Sequence, residues 1–537
     1  ERDGYKAIIS GDVKQVAGAS YLLSARVLSA QDSILVAFSE TAKDSTDLIP
    51  AVHRLSRTMR EKMGESLKTI RAEKPLAQVT TASLPAFRKY SEAIRVGRET
   101  ADVMREKSLL IEAVQLDTLF ASAWRRLGVV TRGDSGTKAL TRAFDLRDHL
   151  TDLERFQTIA AYESGVRKNR AAAMDAHRQA LAVDSLDVTT LNAFAAMLAQ
   201  DRRWAEAEVL LRRAKRADAD GGSWSMLWVV QYWQGHIDEA KATLDSALVA
   251  LPNNIGVYFG TIVWAGAQQK WDLADSLAIA GLERFRDNRS AKPFMSGGRI
   301  LAANAQGRLA AANAMAQEMR IDLGMNDPLT RLNMDLEKAS MSVYIREDIP
   351  RAKREIQAAL RAVPLASLPD ERRPYDRLSN LCGAVADFVC ADDAMRGLER
   401  QKPTQEALLF ARGYQFLHKG NAAAALPLFQ ELSRIRSCNS CMEDLVAMAW
   451  MGLGKPDSAL AGFERYLNAP EPMRYYDVDV YVNRLLQDAD LHVSAGNKAK
   501  AIERYAAVLK LWQKADAEFQ PRVDEVRKKI ARLQGKG

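Results

Sequence analysis

The sequence predicts a mostly α protein: an α-solenoid of antiparallel helix pairs preceded by a small α+β domain. Three observations carry that prediction. Small residues recur at a near-constant step through the middle of the chain, at Ala173, Ala207, Ala240 and Ala274. Each has a small partner seven positions on, at Ala180, Ala214, Ala247 and Gly281. Residues seven apart share a helix face, so each such couple marks a line along which a second helix packs closely. The segments between carry apolar residues at 3–4 spacing, and only the first 75 residues alternate as strands do.

Residues 6–16, 21–29 and 34–41 read as three strands, joined by the turn signals Ala17-Gly18-Ala19 and Gln31-Asp32-Ser33. A long helix over 47–73 then puts Leu48, Val52, Leu55, Met59, Met63, Leu67 and Ile70 on one face, which would cover the three-stranded meander. Residues 1–75 are thus a small α+β domain or part of one.

Helix pairs fill the rest. A first array spans 76–363, with its clearest units at 154–187, 188–220, 221–254 and 255–288. In the third unit Trp224 and Leu227 take packing positions, Gly235 ends the first helix and Pro252 follows the second. The step lengthens at Ala312, and Pro350, Pro364, Pro369 and Pro374 place an irregular joint with a degenerate repeat at 364–403. A C-terminal array occupies 404–537. There Gly420 with Ala425, Gly454 with Ala459 and Gly496 with Ala501 restore the period, and a highly charged capping helix over 521–533 ends it.

Composition bounds the function classes. Of 537 residues, 47% are hydrophobic and 27% charged, enough apolar surface to offset chain entropy. The net charge of +8 is mild for this length. The densest basic run, Arg212, Arg213, Lys215 and Arg216, lies late in a helix, where cations complement the dipole. The aromatic interleaving of single-strand binders is missing, so no nucleic acid is expected on this chain. No apolar run reaches the roughly 20 residues of a bilayer span. The chain opens at Glu1 a few residues before a strand, with neither the charged nor the apolar region of a signal peptide. The expectation is a piece of a longer protein whose targeting or membrane segment lies upstream.

A step of about 34 residues is that of the tetratricopeptide repeat, and Trp124-Arg125-Arg126-Leu127-Gly128 matches the W-x-x-L-G start of its first helix. The run Gly4 to Val13, with Leu23-Ser24-Ala25-Arg26-Val27 and Phe38-Ser39-Glu40-Thr41, resembles the end of a TolB-like amino-terminal domain. In that family the domain precedes tetratricopeptide repeats in bacterial membrane-anchored serine/threonine kinases and in some transcriptional regulators. The stretch from Cys438 to Leu467, and that from Leu511 to Val523, are similar to the terminal repeats of the same kinases. The resemblance implies the non-catalytic sensor or scaffold half of such a protein, with any catalytic domain upstream.

Chemistry within the chain is not expected. Phosphoryl transfer needs a Gly-rich loop, a strand lysine, H-R-D and D-F-G. Asp387-Phe388 is followed by Val389, and Ala469-Pro470-Glu471 stands without partner motifs. There is no Walker loop, nucleophile elbow or H-E-x-x-H pair, so the chain is read as no enzyme, with no cofactor and no metal. His53, His149, His177, His236, His418 and His492 lack ligand spacing and read as partly exposed helix residues; Asp392 and Asp393 read as a solvated face.

Cysteine offers the one constellation with chemistry. Cys438 and Cys441 form a C-x-x-C at a junction of helix pairs, and Cys382 and Cys390 fall by register on the two facing helices of one pair. Two disulfides, reduced structural thiols, a Cys₄ zinc site and thioredoxin-like activity are the alternatives. The even count in two local pairs favours the extracytoplasmic side of a membrane-anchored parent, with the cytoplasm as the alternative.

Function then rests on a surface. The first helix of each pair lines the concave face, and by register Arg155, Tyr162, Asn192, Tyr232 and Phe259 point there, a mixed aromatic and polar lining suited to an extended protein or peptide partner. Some of these side chains, Tyr162 above all, alternatively pack between repeats. The expected role is a protein-interaction scaffold or ligand-sensing region of a signalling protein. The alternative is a fragment of a kinase, or of a transcriptional regulator, whose active part lies elsewhere.

Overall fold

The chain is described by a computed structural model over residues 8–16, 18–29, 34–63, 81–131, 133–217, 221–324, 327–436, 440, 442–469 and 472–535. Alternation at the start folds as read. Strands β1 (Ile8–Gln15), β2 (Tyr21–Leu28) and β3 (Ile34–Ala42) pair antiparallel in the order β1-β2-β3. The period of two puts Leu23, Ala25 and Val27 on one face, where α1 (Leu48–Lys62) packs Leu48, Ala51, Leu55 and Met59. Arg54 ties helix to sheet through Glu40 at 2.8 Å and also pairs with Asp47, just before the helix, at 3.1 Å. Val52 and Met63 face solvent, because the buried stripe passes through the smaller Ala51. Leu67, Ile70 and the turn residues Ala17 and Gln31 to Ser33 lie outside the described residues.

Twelve antiparallel pairs of an A helix and a B helix follow among the described residues. The first six are α2 (Leu84–Thr100) with α3 (Val103–Leu116), α4 (Ala121–Val130) with α5 (Asp134–Asp145), α6 (Asp152–Tyr162) with α7 (Arg170–Val183), α8 (Val188–Gln200) with α9 (Trp204–Ala217), α10 (Gly221–Trp233) with α11 (Ile237–Ala250), and α12 (Ile255–Ala267) with α13 (Trp271–Arg284). Then come α14 (Lys292–Ala305) with α15 (Leu309–Asp322), α16 (Pro328–Tyr344) with α17 (Ile349–Ala362), α18 (Tyr375–Ala384) with α19 (Phe388–Arg400), α20 (Gln405–His418) with α21 (Ala422–Arg436), α22 (Glu443–Gly452) with α23 (Pro456–Asn468), and α24 (Tyr481–Ser494) with α25 (Lys498–Leu511). A last helix, α26 (Gln520–Leu533), caps the series. The fold is a tetratricopeptide-like helical array behind a small sheet.

One position governs the pairs. From α7 to α25 the fourth residue of every B helix is a buried alanine: Ala173, Ala207, Ala240, Ala274, Ala312, Ala352, Ala391, Ala425, Ala459 and Ala501, none more than 3% exposed. The ladder therefore runs through 364–403, where two short 3₁₀ turns (Leu365–Ser367 and Asp370–Arg372) lead into the regular pair α18/α19. In α3 the position holds Glu106, and the space is made from the other side: a Cβ on Gly97 of α2 would stand 2.5 Å from the Glu106 carboxylate. That buried carboxylate accepts from Arg126 at 2.5 Å.

A second regularity closes each pair. All twelve A-to-B turns contain a residue with positive φ, a glycine at 133, 235, 307, 420, 454 and 496, and Ala101, Lys168, Arg202, Gln269, Glu347 or Ala386 in the others. The left-handed turn satisfies the last carbonyls of the A helix and reverses the chain.

The chain divides into two compact units. The first comprises residues 1–200, 205–227 and 246–256, the second 201–204, 228–245 and 257–537. In the first, the Asn254 side chain donates to the Arg98 carbonyl at 3.1 Å, and Gly221 leaves room for that side chain. The second also curls back on itself. Leu309, Met341 and Ile345 share one core with Tyr466, Leu485, Val508, Trp512, Phe519 and Val523. Around that core Asp516 binds the Ala310 amide at 2.8 Å, and Glu518 pairs with Arg346 at 3.0 Å.

Two kinds of glycine substitution separate turn strain from closure. Gly454 has φ +65° and nothing within 4 Å of an added Cβ, so Gly454→Ala should cost only the left-handed penalty, about 1 kcal/mol. At Gly307, φ +70°, an added Cβ would also stand 2.9 Å from the Ala515 Cβ, and Gly307→Ala should cost about 2–4 kcal/mol. Ala386→Gly should stabilise by about 0.5–1 kcal/mol. Urea unfolding of the three variants checks the order; equal losses at 307 and 454 would remove the closure argument.

Candidate functional site

The A helices of the second unit bring their inward faces to a common interior. Phe259 and Gly266 lie seven apart on α12, Phe294 and Gly298 four apart on α14, and each couple therefore shares a face. Trp271 at the start of α13 forms a side wall. Into this cradle enters Tyr475, from the 3₁₀ turn Pro472–Tyr475 that links α23 to α24. Its ring meets the Phe259 ring edge-on at 6.0 Å between centroids and stacks on Trp271 at 6.0 Å and 22°. The residue is 0% exposed. Glycine is required beneath it: a Cβ on Gly266 would overlap the Tyr475 ring, and one on Gly298 would stand 3.3 Å from its hydroxyl.

The same strap carries charged groups into the interior. The Arg474 guanidinium lies over Tyr466 at 4.5 Å and Tyr481 at 5.4 Å and donates through Nη2 to the Tyr466 carbonyl. Its Nε and Nη1 are buried without a partner. Asp477 accepts from the Tyr466 hydroxyl at 2.9 Å. Nearby Arg484 of α24 is paired with Asp444 of α22 at 3.0 Å, both nearly fully buried. Burial, aided by repulsion from Asp444, pushes the Asp477 carboxyl up to about 6. Burial, with Glu337 and Asp477 as repelling neighbours, pushes Asp479 up to about 7. One turn deeper, buried Asp488 accepts from Arg504 at 2.8 Å, and His492 lies 3.3 Å from Glu464.

The residues singled out from sequence are dispersed. Arg155 pairs with Asp152 at 3.0 Å and lies 5.3 Å above the Phe156 ring. Tyr162 stacks on Phe144 of α5 at 4.0 Å, between helices. Asn192 accepts from Ser223 at 2.8 Å and bridges α8 to α10. Tyr232 is 1% exposed, its hydroxyl accepting from Gln268 and its ring edge-on to Trp264 at 5.1 Å. Phe259 alone of the five touches the strap.

Cys382 of α18 and Cys390 of α19 form a disulfide, their Cα atoms 5.7 Å apart across the turn at Ala386. Cys438 and Cys441 lie outside the described residues. The histidines depart from the expectation of partial exposure, since His177 and His492 are buried. His177 stacks on Phe194 at 5.6 Å, and burial followed by the Arg125 charge lowers it to about 4. Burial likewise lowers His418, bonded to Asn380 at 2.9 Å, to about 4. Both are neutral packing residues near pH 7. Sequence reasoning missed Tyr475, Arg474, Asp477 and Asp479; the aromatic doublet Tyr475-Tyr476 in a proline-flanked linker was the available signal.

No protein-family model matches the chain, and no curated protein matches it. Among solved structures, that of Naa15/Naa10 bound to HypK-THB aligns with 90% of this chain and 76% of that one, at 14% identity and a TM-score of 0.23. Similarity at that level carries no argument about function.

The raised carboxyls give the fold a pH dependence. A carboxyl whose pKa rises on folding contributes stability fully below its unfolded value of 3.8, and loses it progressively as pH climbs from there through about 6 for Asp477 and about 7 for Asp479. Asp479→Asn should therefore stabilise the chain at pH 8, by about 1–2 kcal/mol after allowing for solvent screening, and change little at about pH 3.5, below the unfolded value. Thermal unfolding at the two pH values checks this; an equal shift at both would contradict it.

Proposed function

We propose that this chain is a non-catalytic protein-interaction scaffold or ligand-sensing region of a bacterial signalling protein, binding a peptide or protein along the concave face of its A helices. One observation supports the reading: a 3₁₀ turn of the chain already lies against A helices α12 and α14, its Tyr475 ring seated between Phe259 and Trp271. Peptide recognition by helical arrays uses that mode, a few anchors in pockets along an extended backbone. Arg155 and Asn192 would line the partner path in the first unit and Phe259 in the second, while Tyr162, stacked on Phe144, and Tyr232, 1% exposed, pack between helices instead.

The signalling context rests on the TolB-like resemblance of the first strands and on the similarity of the terminal repeats to those of the same kinases. On this reading the parent is a serine/threonine kinase with its catalytic domain upstream, or a regulator with a DNA-binding domain there, and this chain contacts no nucleic acid. The Cys382–Cys390 disulfide supports an extracytoplasmic location, since such bonds persist in oxidising compartments.

Two measurements test these statements. A photo-crosslinking residue at Arg155 should trap a discrete partner in cells of the source organism, while one at Val249, 84% exposed on a B helix, should trap none. Adducts at neither position, or equally at both, would sink the scaffold reading. Alkylation of denatured, unreduced protein from its native compartment should leave Cys382 and Cys390 unlabelled; free thiols there would remove the case for an oxidising location.

A further inference from the structure

The strap in the second unit fits its cradle less well than the cradle allows. Ring contacts are good: Phe259 and Trp271 form the walls, and Gly266 and Gly298 form a floor with no side chain. The Tyr475 hydroxyl, however, is buried without a hydrogen-bond partner. A buried hydroxyl left unpaired weakens seating by roughly a factor of ten. Its neighbour Arg474 buries Nε and Nη1 unpaired, and Asp477 and Asp479 are carboxyls that resist ionisation in the same interior. A half-satisfied polar network is poorly anchored compared with an apolar one of the same shape.

We propose that residues 472–480 are a displaceable internal occupant of the aromatic cradle, and that the partner is a peptide anchored there by phenylalanine. The inference rests on the scaffold reading and deepens it by naming the anchor. Phenylalanine keeps the edge-on contact with Phe259 and the stacking on Trp271 while burying no hydroxyl. An indole is broader than the phenol ring that Gly266, where an added Cβ would already overlap the ring, leaves room for, and an aliphatic side chain forfeits the ring contacts. The strap thus holds the cradle closed without competing strongly for it.

The test uses the full chain and a fluorescent peptide with the sequence of residues 472–480, carrying phenylalanine at the position of Tyr475. The Tyr475→Ala chain, its cradle emptied, should bind this peptide about tenfold more tightly than the wild type does. The same peptide with alanine at the anchor should bind neither. Trypsin reports the strap directly, because the bond after buried Arg474 is cut only when the strap leaves. Tyr475→Phe should slow that cut by about fivefold, and Tyr475→Ala should accelerate it.

Tyr475→Phe keeps every ring contact, so its cleavage rate decides the matter even where Tyr475→Ala fails to fold. Equal cleavage of wild type and Tyr475→Phe would overturn the proposal, as would a Tyr475→Ala chain that binds the peptide no better than wild type. Wild-type dimers that dissociate on adding the peptide would assign the cradle to the strap of a second copy, and would also overturn it. None of these readouts needs an outside partner. Failure here with a crosslinked partner at Arg155 leaves the scaffold reading standing, and a displaceable strap with no such partner does the reverse.

Discussion

The close approach of two helices at one point of a pair is the constraint on which the rest depends. Ten consecutive B helices place a buried alanine four residues in, and where α3 has Glu106 instead, Gly97 on the facing helix supplies the space. A fixed approach fixes the angle within a pair, and repeated angles accumulate into curvature. In the second unit α24 to α26 meet α15 and α16 in one core, and the strap before α24 meets α12 to α14 through Tyr475.

Much of this was legible, and the limits have physical causes. The alanine ladder and the strand alternation are local patterns, and both placed their elements to within a few residues. The turns were half visible. Glycine announces a left-handed residue, whereas Gln269, Glu347 and Ala386 adopt the same φ with nothing in their identity to show it. Cys382 and Cys390 were correctly placed on facing helices because the register reaches that far, but whether they bridge depended on a turn whose left-handed residue is an alanine.

The site was less legible than the fold. Phe259 follows from helical register; its contact with Tyr475 does not, since it joins residues more than two hundred positions apart. Nor does composition reveal that charged pairs lie buried between the helices. Arg484 with Asp444, and Arg504 with Asp488, are buried pairs whose desolvation cost is offset only by good geometry. Such pairs fix a unique arrangement of facing helices more than they add stability, a role suited to an interior that must hold its shape around a removable segment.

Closure also removes a freedom that open repeat arrays possess. In a stack whose contacts are all between neighbours, a repeat is gained or lost at the cost of one interface, so lineages vary their length by duplication. The core shared by Leu309 and Val523 ties distant ends of the second unit together, as the last stave locks a barrel. Adding one pair there would move Trp512 off Gly307, and deleting one would leave both surfaces bare. Folding is altered in the same way: the final contact closes a loop of some two hundred residues, a non-local step that local helix pairing cannot hasten. Repeat number in this unit is set by geometry, as it is in a ring and not in a rod.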